Sequence, residues 1–80
     1  MKTFKILTFG IAREITGQSP LLFESNAANV QELKSELKQQ FPALKELKSL
    51  AISVNQQYAD DLQNLVTEDE IAIIPPVAGG

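Results

Sequence analysis

The residue types that most often do chemistry are scarce in this sequence. Its 80 residues contain no Cys and no His. That excludes a thiol nucleophile, a disulfide framework and thiolate or imidazole metal ligands, and it removes the usual general base near neutral pH. Two acidic clusters remain, Asp60-Asp61 and Glu68-Asp69-Glu70. Carboxylates on a turn can hold a hard cation, but the D-x-[DN]-x-[DN]-G spacing of a calcium loop is absent, so solvated turns are the expectation. The glycines build no phosphate loop: Gly10 and Gly17 stand apart, with no G-x-G-x-x-G or G-K-[ST] pattern around them. Arg13 is the single arginine. It is either a surface charge paired with Glu14 or Glu70, or an anion or partner contact made through its planar donor fork.

The closing run IIPPVAGG, Ile73 to Gly80, is a stronger candidate. Pro75 and Pro76 cannot donate to a sheet ladder, so strand pairing must stop there. They also favour a stiff extended backbone, and six residues from Pro75 reach on the order of 20 Å at about 3.3 Å each. Val77 and Ala78 are small, and Gly79 and Gly80 fit a channel too narrow for any side chain. A frayed terminus is the plain alternative. Frayed ends gather polar residues, however, and this one has none. Ordering a tail costs about 1–2 kcal/mol of backbone entropy per residue, and fixed proline φ angles reduce that loss in advance. The run suits a tail that inserts elsewhere and delivers the carboxylate of Gly80.

A tail needs a body to hold it. Eighty residues make one small domain with a single modest core. The apolar share is 44% and the charged share 21%, as in a folded globule rather than a disordered chain. The net charge of −3, with scattered basic residues, argues against nucleic acid. No apolar stretch is long enough to span a membrane, and no signal peptide is visible. The expectation is a soluble cytoplasmic protein that meets other proteins or a small molecule.

The elements follow from periodicity. Thr3 to Phe9 reads as an interior strand, with Phe4, Ile6 and Thr8 on one face and Lys5, Leu7 and Phe9 on the other. Ile11 to Ile15 predicts a helical turn, GQSP a turn, and Leu21 to Phe23 the return arm of a hairpin. Asn29 caps the main helix, with Glu32 completing a capping box. Val30, Leu33, Leu37 and Phe41 form its apolar stripe, Lys34, Glu36 and Lys38 face water, and Pro42 stops it. Leu50 to Val54 alternates as a strand, and Tyr58 starts a short edge strand. DDLQNL predicts a short helical turn with Leu62 and Leu65 inward. Glu70 to Ile74 is the last strand. The first and last strands are the most apolar and should pair in parallel at the sheet centre.

This order predicts an α+β fold of the β-grasp (ubiquitin-like) type: a mixed four- to five-stranded sheet on one main helix. Residues 1–74 form the domain and 75–80 the extended tail. One helix covers one sheet face, so apolar residues on the other face, Phe9, Tyr58 and Ile74, are partner candidates, with plain core packing the alternative for each.

These residues carry a resemblance. A β-grasp pattern closing on Gly-Gly resembles the ubiquitin-like sulfur carriers and, more narrowly, the small subunit of molybdopterin synthase. FGIAREITG (Phe9 to Gly17), ISVNQQY with Val54-Asn55, and EDEIAIIPPVAGG all match that family's pattern. Ile73-Ile74 stand where aromatics are common, and Tyr58 where an aliphatic is common. The resemblance implies that an ATP-dependent activating enzyme adenylates the Gly80 carboxylate and that sulfur then gives a thiocarboxylate. The tail, Pro75 to Gly80, enters the large subunit. There the sulfur passes to a cyclic pyranopterin precursor to build the molybdopterin dithiolene. It implies Gly79 and Gly80 at the reactive end, no bound cofactor, and catalytic side chains on the large subunit. Phe9, Arg13, Tyr58, Ile74, Pro75, Pro76, Val77 and Ala78 would be partner-binding. Alternatives are a carrier for another thiolated metabolite such as the thiamine thiazole, a ubiquitin-type modifier, or a β-grasp interaction module with an incidental Gly-Gly.

Overall fold

β1 (Lys2–Thr8) lies at the heart of a five-stranded mixed sheet. The computed structural model describes residues 2–47 and 49–76. β1 pairs antiparallel with β2 (Leu21–Ser25), Phe4 facing Phe23, and parallel with β5 (Ile71–Ile74), Thr8 facing Ile73. β5 pairs antiparallel with β3 (Ala51–Val54), which pairs with the two-residue edge strand β4 (Gln57–Tyr58). The spatial order is β2-β1-β5-β3-β4. The two strands with apolar residues on both faces, β1 and β5, are therefore adjacent, parallel and interior, as their sequences predict.

Three short helical elements accompany the sheet. α1 (Gly10–Thr16) follows β1 after one residue and ends at Gly17, whose φ of +73° gives a left-handed cap. α2 (Val30–Gln40) places Val30, Leu33 and Leu37 against Phe4, Ile6, Phe23, Ile52, Ile71 and Ile73 in one core. A 3-10 helix, Pro42–Glu46, adds Leu44 to that core.

Lys34, Glu36 and Lys38 are half-buried rather than fully in water. Lys34 pairs with Asp61 at 2.7 Å.

The start of α2 is satisfied by backbone distant in sequence. The Val30 N–H donates to the Gln63 carbonyl at 3.0 Å and the Gln31 N–H to the Asp61 carbonyl at 2.9 Å. The Glu32 N–H donates to Asn29 Oδ1 at 2.9 Å, and Glu32 Oε1 accepts from the Ala28 N–H at 2.7 Å. The capping box thus reaches back to Ala28, one residue before the cap. These bonds account for the donors a helix start leaves open.

They also correct the reading of DDLQNL. The segment makes a turn at Asp61-Leu62 and an isolated bridge from Asn64 to Asn29, not a helical turn. Its carbonyls at 61 and 63 serve α2, and Leu62 between them turns outward, 75% exposed, while Leu65 is buried.

The other loops are pinned by polar atoms. Thr8, buried at the end of β1, donates its hydroxyl to the Gln18 carbonyl. Ser19 Oγ accepts from the Thr8 N–H at 3.3 Å and donates to the Thr8 carbonyl at 3.1 Å. Among the described residues no buried side-chain polar atom lacks a partner.

Candidate functional site

The sheet has one face in the core and one left open. Strand alternation places Thr3, Lys5 and Leu7 of β1 on the open face, with Leu22 and Glu24 of β2. The pairing Leu7–Ala72–Ser53–Tyr58 runs across four strands as one row. Ala51 faces Ile74 in the next row toward the end of β5. Tyr58 is 77% exposed at the β4 edge, Leu22 is 65% exposed on the far side, and Leu7 and Ile74 are half-buried. Large apolar side chains held out on a surface that no core claims mark an interaction face.

Two residues of this face, Phe9 and Ile74, stand at the end of the sheet where the tail begins. β1 and β5 run in the same direction, so Phe9 and Ile74 each follow the Thr8–Ile73 pair at one end of the sheet. Phe9 has extended backbone, φ −134° and ψ 155°, and is 50% exposed. Pro75 comes next, close enough that a Cβ built on Gly10 would lie 3.6 Å from its Cγ. β5 ends at Ile74, and Pro75 and Pro76 are half-buried outside any strand. The structure thus brings Phe9, Ile74 and Pro75 together. Tyr58 sits two strands away from β5 on the same face, about 10 Å at ordinary strand spacing.

Arg13 projects from α1, just beyond Phe9. Its carbonyl accepts the Gly17 N–H at 2.8 Å, and its side chain is exposed. The pairing with Glu14 or Glu70 does not form; the ion pair among the described residues is Lys34–Asp61. Val77, Ala78, Gly79 and Gly80, which complete the predicted site, lie outside the described residues.

The acidic clusters have structural duties. Asp60 Oδ1 accepts from the Leu62 N–H, and Asp69 accepts from the Val66 N–H and from Asn55 Nδ2. Glu68, Asp69 and Glu70 line a cleft of about 400 Å³ with Lys5, Leu7 and Thr67. Among the described residues no group of three acidic side chains is placed to hold a metal ion. No helix there is long and apolar enough to cross a membrane.

Two features of this face escaped the sequence reading. Leu7, Ala72 and Ser53 join Tyr58 in one row only through strand order, which periodicity does not supply. The approach of Pro75 to Gly10 likewise follows from the parallel register; its one local signal is a glycine where strand passes to helix.

Comparisons with known proteins bear on the fold and the family. A profile described as the ThiS family matches residues 6–80. The molybdopterin synthase sulfur carrier subunit of Arabidopsis thaliana is 37% identical over 78 residues, covering 95% of this chain and 81% of that protein. The chain belongs to the ThiS family, among its molybdopterin synthase sulfur carrier subunits. Solved structures share the architecture. SAMP1 from Haloferax volcanii superposes with a TM-score of 0.79 at 22% identity over 98% of this chain and 99% of that one. At that identity the likeness shows the fold alone. A chain from the complex of subunits 1 and 2 of the molybdopterin-converting factor of Helicobacter pylori superposes with a TM-score of 0.64. It is 30% identical over 98% of this chain and 99% of that one. The family fold is thus found in complex with a second subunit, and β-grasp architecture is established for this chain.

Proposed function

We propose that this chain is the sulfur carrier subunit of a molybdopterin synthase, with Gly80 as the residue that carries the sulfur. The observation behind this reading is the exit of β5 beside Phe9, at the end of the sheet where the open face carries Phe9 and Ile74. A partner that covers Phe9, Ile74 and Tyr58 receives the tail at the same time. The stiff Pro75-Pro76 root, the slim Val77-Ala78 stem and Gly79-Gly80 suit insertion into a narrow channel.

The chemistry needs no side chain of this protein. A terminal carboxylate is ionised near neutral pH and is a poor electrophile. An activating enzyme would join it to the AMP portion of ATP, releasing pyrophosphate. A sulfur nucleophile would then displace AMP and leave the thiocarboxylate. In the large subunit that sulfur would pass to a cyclic pyranopterin precursor, and water would return the Gly80 carboxylate. ATP is consumed by the activating enzyme, and this chain binds no cofactor of its own. Arg13, exposed and close to the tail root, serves both partners as an anion contact. The reading places the reaction in the cytoplasm, away from membrane and nucleic acid.

Co-purification with a large subunit tests it. The complex should convert the pyranopterin precursor, and deleting Gly80 should abolish conversion while the melting temperature stays unchanged. A Gly80 deletion that remains active would refute the assignment.

A further inference from the structure

We propose that Gly10 is a positioning residue for the tail: by offering no side chain under Pro75, it lets the first turn of α1 set the direction in which the chain leaves the sheet. The inference rests on the sulfur-carrier reading for its consequence, but on geometry for its substance. β1 and β5 are parallel, and Gly10 and Pro75 each stand two residues beyond the Thr8–Ile73 pair. At Gly10 the chain stops being a strand: φ is +53°, and α1 begins. Pro75 lacks an N–H and cannot continue the ladder, so it packs on what stands where the ladder would have gone. That is the bare backbone of Gly10, whose Cβ would touch Pro75 Cγ at 3.6 Å. A methyl group fits in contact; a longer side chain directed there has no room.

The contact has leverage. Pro75 and Pro76 both have fixed φ, so a displacement of Pro75 carries into Pro76 at the root of the tail. Misplacement of a reacting group by about 1 Å can cost a hundredfold in rate.

Position 10 therefore carries two separable demands. The positive φ favours Gly, then Asn, and disfavours Ala. The space under Pro75 favours Gly, then Ala, and disfavours Asn. A purely structural role makes sulfur transfer by the folded protein follow the first order. A positioning role makes it follow the second.

The experiment uses the full chain as wild type, Gly10→Ala and Gly10→Asn. Thermal melts rank stability, and single-turnover transfer from the thiocarboxylated chain, saturated with large subunit and precursor, ranks positioning. Gly10→Asn should melt at or above Gly10→Ala yet transfer more slowly, about tenfold or more below wild type. NMR of the wild type should show cross-peaks between the Gly10 α-protons and the Pro75 ring. Gly10→Asn should lose them and shift the resonances of Val77 to Gly80. Transfer that follows the melting order, wild-type rates in both variants, or missing wild-type cross-peaks would overturn the inference. If the wild type transfers no sulfur, the functional reading fails, while the cross-peaks and tail shifts still decide the role of Gly10.

Discussion

Asn55 clasps the backbone of Glu70. The Asn55 N–H donates to the Glu70 carbonyl at 2.7 Å, and Asn55 Oδ1 accepts from the Glu70 N–H at 3.0 Å. Asn55 Nδ2 also donates to Asp69 Oδ1 at 3.0 Å. The turn between β3 and β4 is thereby tied to the residue just before β5, the strand that leads to the tail. Asn55 holds a φ of +53°, which Asn tolerates better than most residues. Asn55→Ala removes two side-chain hydrogen bonds and strains the turn. It should cost about 1–3 kcal/mol, read from denaturant unfolding.

The next residue offers the opposite change. Gln56 has a φ of +70°, so Asn55-Gln56 is a two-residue hairpin loop with both residues left-handed. Its side chain is exposed and makes no hydrogen bond among the described residues. Gln56→Gly should stabilise by up to about 1 kcal/mol, raising Tm by about 4–8 °C in a domain of this size.

Leu62 and Leu65 form a matched pair of tests. Leu65 is 3% exposed within the core, whereas Leu62 is outward. Leu65→Ala should cost about 2–5 kcal/mol. Leu62→Ser should stay within about 0.5 kcal/mol of wild type. Chemical denaturation of the two variants separates these outcomes.

The open face predicts a split between binding and stability. Tyr58→Ala and Phe9→Ala remove exposed side chains, so their melting temperatures should stay close to wild type. Affinity for the large subunit should fall by about 1–2 kcal/mol for each, by calorimetric titration. Arg13→Ala should act in the same direction. Unchanged affinity in all three would remove the open face from the docking surface.

What could be read in advance was what depends on neighbours in sequence. The Asn29–Glu32 cap, the Val30-Leu33-Leu37 stripe and the stop at Pro42 are governed by residues within a turn or two. The central pairing of β1 with β5 was legible because each is apolar on both faces. Leu62 was misread because its spacing from Leu65 imitates a helix. The deciding fact, that the carbonyls of Asp61 and Gln63 are spent on the first N–H groups of α2, lies outside any local window. The pairing of Arg13 with Glu14 or Glu70 failed for a related reason: nearness in sequence or charge does not place two side chains together. The exit of the chain from the sheet at Pro75 was legible in composition, through Pro-Pro after an apolar run. Its setting beside Phe9 and Gly10 needed the parallel register.

The central claim is that sulfur rides on Gly80, and intact-mass analysis tests it most directly. The protein is isolated after incubation with its activating enzyme, ATP and a sulfur donor, and then mixed with the large subunit and the pyranopterin precursor. The account predicts a species with one oxygen exchanged for sulfur, localised to Gly80 by fragmentation and lost again on mixing. Sulfur that never appears on Gly80, or that persists there while product forms, would contradict it.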